Sequence, residues 1–311
     1  MSNTTSDFVP APSEKTFSSY TPDQGAKYAQ ARPGYSPSLY ASIIAHHTST
    51  GGKLDTLVDV GCGPGMTARA LAPNFTHTIG LDPSEGMITT ARSLDPNIRF
   101  EISTAEDLGW HLDPKIEDES VDLITASTAA HWFDMTRFWP RAAQILKPGG
   151  TVALWGTGGI NMHPSMPNAV AIQAMFDDFE ERELKPFFEP GNLISRNLYK
   201  DMPLPWTLSP KVEAFEEKTF FRREWGLDNS GFYEAAVMEV DLDRMEKAQA
   251  TLSPVHRWRE ANPEKVGTEE DIVRIMRRGV ERLLHEAGVE KGKEVVKGSL
   301  SGVLIMAKKK A

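Results

Sequence analysis

Cysteine is almost missing: Cys62 is the only one in 311 residues. A lone thiol excludes an internal disulfide and any metal cluster built on several cysteines. No apolar run approaches the roughly 18 residues that a membrane-spanning helix needs. A basic surplus is missing too, since 34 Lys and Arg stand against 43 Asp and Glu, a formal charge of −9. General nucleic-acid binders carry a basic face, so no nucleic-acid partner is expected. The opening stretch MSNTTSDFVPAPSEKTFSSY has neither an arginine nor a hydrophobic segment, unlike a secretory signal or a transit peptide. Histidines show no pair at metal-ligand spacing apart from adjacent His46 and His47, which are read as surface residues on different sides of a helix. These absences predict a reducing, cytoplasmic setting with no metal and no membrane.

What is present suits a sizeable core, with 40% hydrophobic and 25% charged residues. Residues 1–18 are rich in Ser, Thr and Pro and are expected to be disordered. A helix is predicted from Pro37 to His47, capped by Ser36. Apolar runs follow at 56–60 (TLVDV), 77–81, 98–103, 121–127 and 151–156, separated by helical patterns. That alternation predicts an α/β fold with a doubly wound, mostly parallel sheet. Later strand-like runs at 218–225 and 301–308 bring the sheet to seven strands, the last one antiparallel. Four parts are expected: 1–18 disordered; 19–156 an α/β core with an N-terminal lid; 157–216 a helical insertion or cap; 217–311 a part that completes the sheet. Helices are predicted in that last part around 231–250 and 269–286.

Residues 57–65 read LVDVGCGPG. Gly61, Gly63 and Gly65 follow a strand and precede the helical MTARALA, the place where open α/β sheets bind cofactors. Glycine permits the tight turn and removes Cβ atoms that would hold a ligand off. A dinucleotide fingerprint G-x-G-x-x-G would need glycine at 66, where Met66 stands. Asp59, two residues before the first glycine, is awkward for a pyrophosphate but suits an ammonium group. S-adenosylmethionine (SAM) has such a group and no phosphate; a tight βα turn with an incidental acid is the plainer alternative. Asp82 ends the second run, 21 residues after Gly61, where a carboxylate can accept ribose hydroxyls. Met87 could cover an adenine face or simply pack in the core. Thr104, Ala105 and Glu106, after the third run, could meet the adenine edge or form a solvated helix start.

LVDVGCGPG, GLDPSEGM, ITASTAAHWFD and VALWG together resemble the class I SAM-dependent methyltransferases. Within them the chain is most similar to the fungal trans-aconitate methyltransferases. KYAQARPGYSPSLY, FFEPGN and LSPVHRW share in this likeness, which covers most of the chain from about residue 20. The resemblance implies SAM as cofactor, S-adenosylhomocysteine as product and a small-molecule acceptor. It implies that Asp59, Gly61, Cys62, Gly63 and Gly65 lie against the methionine moiety, Asp82 on the ribose, and Thr104 to Glu106 at the adenine. Tyr28 and Arg32 would belong to the lid, and Ser127 to Trp132 would line the methyl-transfer chamber. One departure concerns the acceptor: that family tends to Trp-Ser-Ala-Tyr where this chain has Leu252, Ser253, Pro254 and Val255.

Methyl transfer from a sulfonium is an in-line displacement, in which alignment can supply roughly 7–11 kcal/mol. A carboxylic acid, with a pKa near about 4, is ionised at neutrality and asks for basic clamps. A phenol near about 10 asks for a base. His131 is the candidate catalytic base, or else a histidine that anchors its loop, and His256 is a second. Arg32, Arg196, Arg222 and Arg223 are clamp candidates or surface ion pairs. Trp132, Phe133 and Trp155 can wall the chamber, and Ser253 is a further candidate for the acceptor. Methylation of a small carboxylic acid such as trans-aconitate is one expectation. Its rivals are methylation of a hydroxyl, nitrogen or sulfur of a small molecule, a NAD-dependent oxidoreductase, and a SAM-binding module without turnover.

Overall fold

A computed structural model describes residues 20–31, 34–226 and 230–311. The expected disorder of 1–18 and the site residue Arg32 lie outside these. The elements run α1 (Pro22–Ala31), α2 (Pro37–Ser49), β1 (Thr56–Val60), α3 (Met66–Leu71), β2 (His77–Asp82), α4 (Glu85–Leu94), β3 (Arg99–Ile102), β4 (Val121–Ser127), α5 (Met135–Ile145) and β5 (Leu146–Met162). They continue as α6 (Ala169–Phe179), α7 (Pro190–Arg196), β6 (Phe221–Trp225), β7 (Met238–Val240), α8 (Leu242–Gln249), α9 (Ser253–Ala261), α10 (Ile272–Glu286) and β8 (Val296–Lys308). Local chemistry fixes several starts. Ser36 accepts the Ser38 amide ahead of Pro37, and Ser84 and Asp134 accept the Met87 and Thr136 amides, each satisfying a helix-terminal donor.

The sheet has the order β3-β2-β1-β4-β5-β8-β6, with β7 also paired to β8. β1 to β5 are mutually parallel, and β8 enters antiparallel between β5 and β6. The expected doubly wound α/β sheet is present, with one strand more than seven because short β7 adds to the far end of β8. Strand order reverses between β1 and β4, so the turn after β1 opens at the crevice where such sheets take ligands.

Period-two alternation divides the core. Val58, Val60, Ile124, Ala126, Val152 and Leu154 bury into one layer with Phe138, Trp139 and Tyr199. Leu57, Leu123, Ala153 and Trp155 bury into the other with Leu39, Ile43 and Leu71. Asp59, two residues on from Leu57, shares its face of β1 and therefore faces the second layer.

Three expectations need correction. The fifth strand does not stop at 156: β5 and β8 form a long antiparallel ribbon reaching Met162 and Gly298, with a register shift between Thr157 and Ile160. The segment 231–241 is not helical, since β7 occupies its end. His47 is not a surface residue either. It is fully buried, with Nδ1 on Thr151 Oγ1 and Nε2 on the Lys53 carbonyl, both at 2.8 Å.

Helices of both the 157–216 and 217–311 stretches pack together. Ile172 and Phe176 of α6 pack with Leu242, Met245, Met276 and Val280 in one cluster, and Leu184 packs with Val255, Trp258 and Ile272 in another. Among the described residues, no helix is long and apolar enough to cross a membrane.

Candidate functional site

The three glycines of the turn are there for different reasons. All have left-handed φ, +62° at Gly61, +53° at Gly63 and +79° at Gly65. A Cβ on Gly61 would stand 2.6 Å from Ala129 Cβ, and one on Gly65 would stand 2.6 Å from the Phe100 ring. A Cβ on Gly63 would meet nothing within 4 Å. Gly61 and Gly65 thus seat the turn against its neighbours, while Gly63 presents bare backbone to open space.

Backbone bonds bring the predicted cofactor residues together at one sheet edge. The Cys62 amide donates to the Leu81 carbonyl at 2.9 Å, and the Ser103 amide to the Asp82 carbonyl at 3.1 Å. Asp82 Oδ2 accepts the Gly63 amide and Oδ1 the Ser84 amide, both at 2.9 Å. One carboxylate therefore ties the glycine turn to the start of α4. Thr104 Oγ1 accepts the Asp107 amide at 3.2 Å, Ala105 is buried, and Glu106 Oε1 accepts the Asp134 amide at 2.8 Å. Glu106 thereby joins the turn after β3 to the start of α5. Met87 is buried, as a core residue would be. Arg141 braces this region, donating to the Asp107 and Ile116 carbonyls at 3.2 Å and to Asp118 at 3.0 Å.

Asp59 lies beneath the turn at 0% exposure. Its Oδ1 accepts from Thr125 Oγ1 at 2.7 Å, whereas Oδ2 is buried without a hydrogen-bond partner. Burial pushes the carboxyl up to about 7, against the lowering effects of Thr125 and the Ala68 amide. Both features fit a ligand with a bare-backbone seat and a cationic end, as SAM has. Burial also pushes up the Cys62 thiol, aided by the neighbouring acids Asp82 and Asp59. Ser127 Oγ accepts from Thr67 Oγ1 at 3.1 Å, linking the end of β4 to α3.

The acceptor candidates divide into two groups. His131 is 6% exposed and its Nδ1 lies 3.3 Å from the Tyr199 hydroxyl. Tyr199 in turn donates to the Trp155 carbonyl at 3.3 Å. Tyrosine has one proton, so both contacts are met only when His131 Nδ1–H donates to it. Trp132 packs against Gly191 of α7, where a Cβ would lie 2.5 Å from its ring. Farther along the cap, Ser253 Oγ accepts from Asn192 Nδ2 at 3.0 Å, and His256 Nε2 pairs with the Tyr20 hydroxyl at 2.8 Å. Burial, more than the nearby Arg259, lowers the His256 pKa. Tyr20 also faces Tyr28 edge-on at 6.3 Å, so α1 and the segment before it form a strap reaching α9.

Of the arginine clamp candidates, the three among the described residues are each engaged. Arg196 pairs with Glu180 and donates to the Gly158 carbonyl, and Arg222 pairs with Glu224. Arg223 lies over the Trp225 ring. Arg257, which sequence reasoning passed over, holds Glu189, Asn192 and the Phe187 carbonyl together. Tyr20 and Tyr199 were also missed, whereas Thr128 falls within the expected Ser127 to Trp132 stretch. Thr128 has a left-handed φ of +50° at the end of β4, and its hydroxyl meets Tyr35 at 2.6 Å. No motif flags Tyr199, which comes from a segment without periodicity. Glu281, His285 and Glu294 gather at the end of α10, where His285 Nε2 lies 2.7 Å from Glu294 Oε1.

Residues 58–154 match a family model described as a methyltransferase domain. The SAM-dependent methyltransferase CRG1 of Saccharomyces cerevisiae is 36% identical over 138 residues, 42% of this chain and 45% of that protein. The trans-aconitate 2-methyltransferase of Variovorax paradoxus is 38% identical over 101 residues, 32% of this chain and 37% of that one. The chain spans about half the length of the first curated relatives it matches. In fold, it is similar to a solved structure from Anaeromyxobacter dehalogenans described as a type II methyltransferase. The TM-score there is 0.58 at 21% identity, covering 90% of this chain and 97% of that one. Residues 58–154 thus match a methyltransferase domain, and the sheet fits the Rossmann-like class I methyltransferase fold, for which the cofactor is SAM and the product S-adenosylhomocysteine.

Proposed function

We propose that the chain is a SAM-dependent O-methyltransferase acting on a small-molecule acceptor. The observation that carries this reading is a bridge between the start of α4 and the cap. The Tyr20 backbone lies so close to α4 that a Cβ on Gly86 would come within 2.0 Å of its carbonyl oxygen, while its hydroxyl meets His256 of α9. A chamber strapped in this way by the chain's own backbone suits a small acceptor better than a polymer.

In this reading the 19–156 part, with its lid, holds the cofactor through the open face of Gly63, Asp82 and the Thr104–Glu106 turn. The cap from 157–216 and the helices of 217–311 shape the acceptor side. Bound SAM supplies a sulfonium methyl group for in-line displacement. The chain's residues align the acceptor and exclude water, with Trp132 and Phe133 as walls.

The acceptor atom is an oxygen of a small polycarboxylic acid such as trans-aconitate, supported by the likeness to the Variovorax enzyme of that name. Such an oxygen is already ionised and needs no base. A second reading, transfer to a hydroxyl, nitrogen or sulfur, is favoured by the pairing of Arg196, Arg222 and Arg257 with carboxylates.

Incubation with methyl-labelled SAM and parallel panels of polycarboxylates and phenols separates the two. Base-labile methyl esters from the first panel are expected. Label found only in base-stable products of the second panel would transfer the reading to the rival. Saturable binding of S-adenosylhomocysteine with no product from either panel would overturn the enzymatic reading in favour of a silent binding module.

A further inference from the structure

We propose that Asp59 is a neutral acid in the free protein and releases its proton to solvent when the cofactor's cationic end seats on the glycine turn. Cofactor binding is then coupled to proton release. The inference rests on the SAM reading above and concerns how that same site is regulated.

The argument is one of missing charge. Asp59 has no solvent contact, and only one of its two oxygens is bonded, to Thr125 of β4. The other groups that act on it are the Ala68 amide of α3, Tyr40 of α2, Cys62 of the turn and Asp82 of β2. Every titratable group in this set is an acid. Tyr40 is itself pushed up by burial, against the lowering effect of Thr67. The basic residue of α3, Arg69, sends its Nε to the Gly65 carbonyl at 3.2 Å instead. Among the described residues, no cation faces Asp59. An ionised carboxylate so buried and half-satisfied is costly, so the neutral form persists to higher pH than in an exposed aspartate.

A ligand with an ammonium and a sulfonium brings the missing positive charge to the open side of the same turn. The step balances simply: the Asp59 carboxylic acid becomes a carboxylate, its proton goes to the buffer, and the ligand keeps its own protons. The sign follows from linkage. With the free-protein value at about 7 and a lower one in the complex, binding is strongest above that pH and weakens as pH falls. Affinity for S-adenosylhomocysteine, which keeps the ammonium, should be about tenfold weaker at pH 6 than at pH 8. Proton release should be about 0.9 per ligand at pH 6 and about 0.1 at pH 8.

Calorimetric titration of the full chain with S-adenosylhomocysteine, in paired buffers of low and high ionisation enthalpy at both pH values, reads the protons directly. Asp59→Asn should abolish the release at pH 6. Proton release that persists in this variant, or ligand binding by wild type with none at either pH, overturns the inference and leaves the cofactor reading standing. No binding heat at any pH sinks the cofactor reading itself. Should Asp59→Asn fail to fold, ¹³C-aspartate spectra of wild type replace it. One carboxyl must titrate near neutrality in the free protein and not in the complex, and its absence refutes the proposal.

Discussion

Alanine at each glycine of the turn separates folding from ligand seating. A left-handed alanine costs roughly 1–2 kcal/mol wherever it stands. At Gly63 nothing adds to this, because the new methyl group meets no atom within 4 Å. At Gly61 the methyl group would stand 2.6 Å from Ala129 Cβ, which is fixed to the backbone. Overpacking of that kind adds roughly 1–3 kcal/mol. Gly63→Ala should therefore melt about 2–4 °C below wild type, and Gly61→Ala two to three times further below. The order reverses with ligand. Wild type at about 100 Kd of S-adenosylhomocysteine gains roughly 2.7 kcal/mol. Gly61→Ala, to the extent that it folds, should keep part of that gain. Gly63→Ala should lose nearly all of it, since its methyl group fills the seat. Thermal melts of the three proteins with and without ligand decide the matter. An unchanged ligand shift in Gly63→Ala would refute the claim that Gly63 faces the cofactor.

Two further predictions concern the strap and the brace. Tyr20→Phe removes the hydroxyl bonded to His256, worth about 1 kcal/mol, so S-adenosylhomocysteine should dissociate roughly fivefold faster in stopped-flow displacement with little change in melting temperature. Arg141→Met keeps the buried stem but strips the donors from two carbonyls and Asp118. It should destabilise the protein by about 2–3 kcal/mol in urea titration, and unchanged stability would show that the bonds to Arg141 are dispensable.

Much of the nucleotide side was legible because it depends on local rules. Period-two apolar runs bounded by Gly and Asp gave β1, β2 and β4 nearly to the residue, and the glycine spacing marked the crevice before any contact was known. The acceptor side was less legible. Arg196 and Arg222 read in sequence as clamps or surface ion pairs, and only the fold brings Glu180 and Glu224 beside them. His47, adjacent to His46 and read as exposed, is fully buried because α2 turns that one face onto the Thr151 end of β5.

The sequence by itself determined the parallel core, the turn and the two acids, since φ preference, side-chain alternation and strand-to-helix order act over a few residues. Only the tertiary structure decided what each of them does. It separated Gly63, facing open space, from Gly61 and Gly65, which pack on neighbours. It put Asp59 beneath the turn with one oxygen unpaired, and it joined Tyr20 to His256 across 236 positions of chain. Burial and pairing are properties of what folds back from far away, and no local spacing records them.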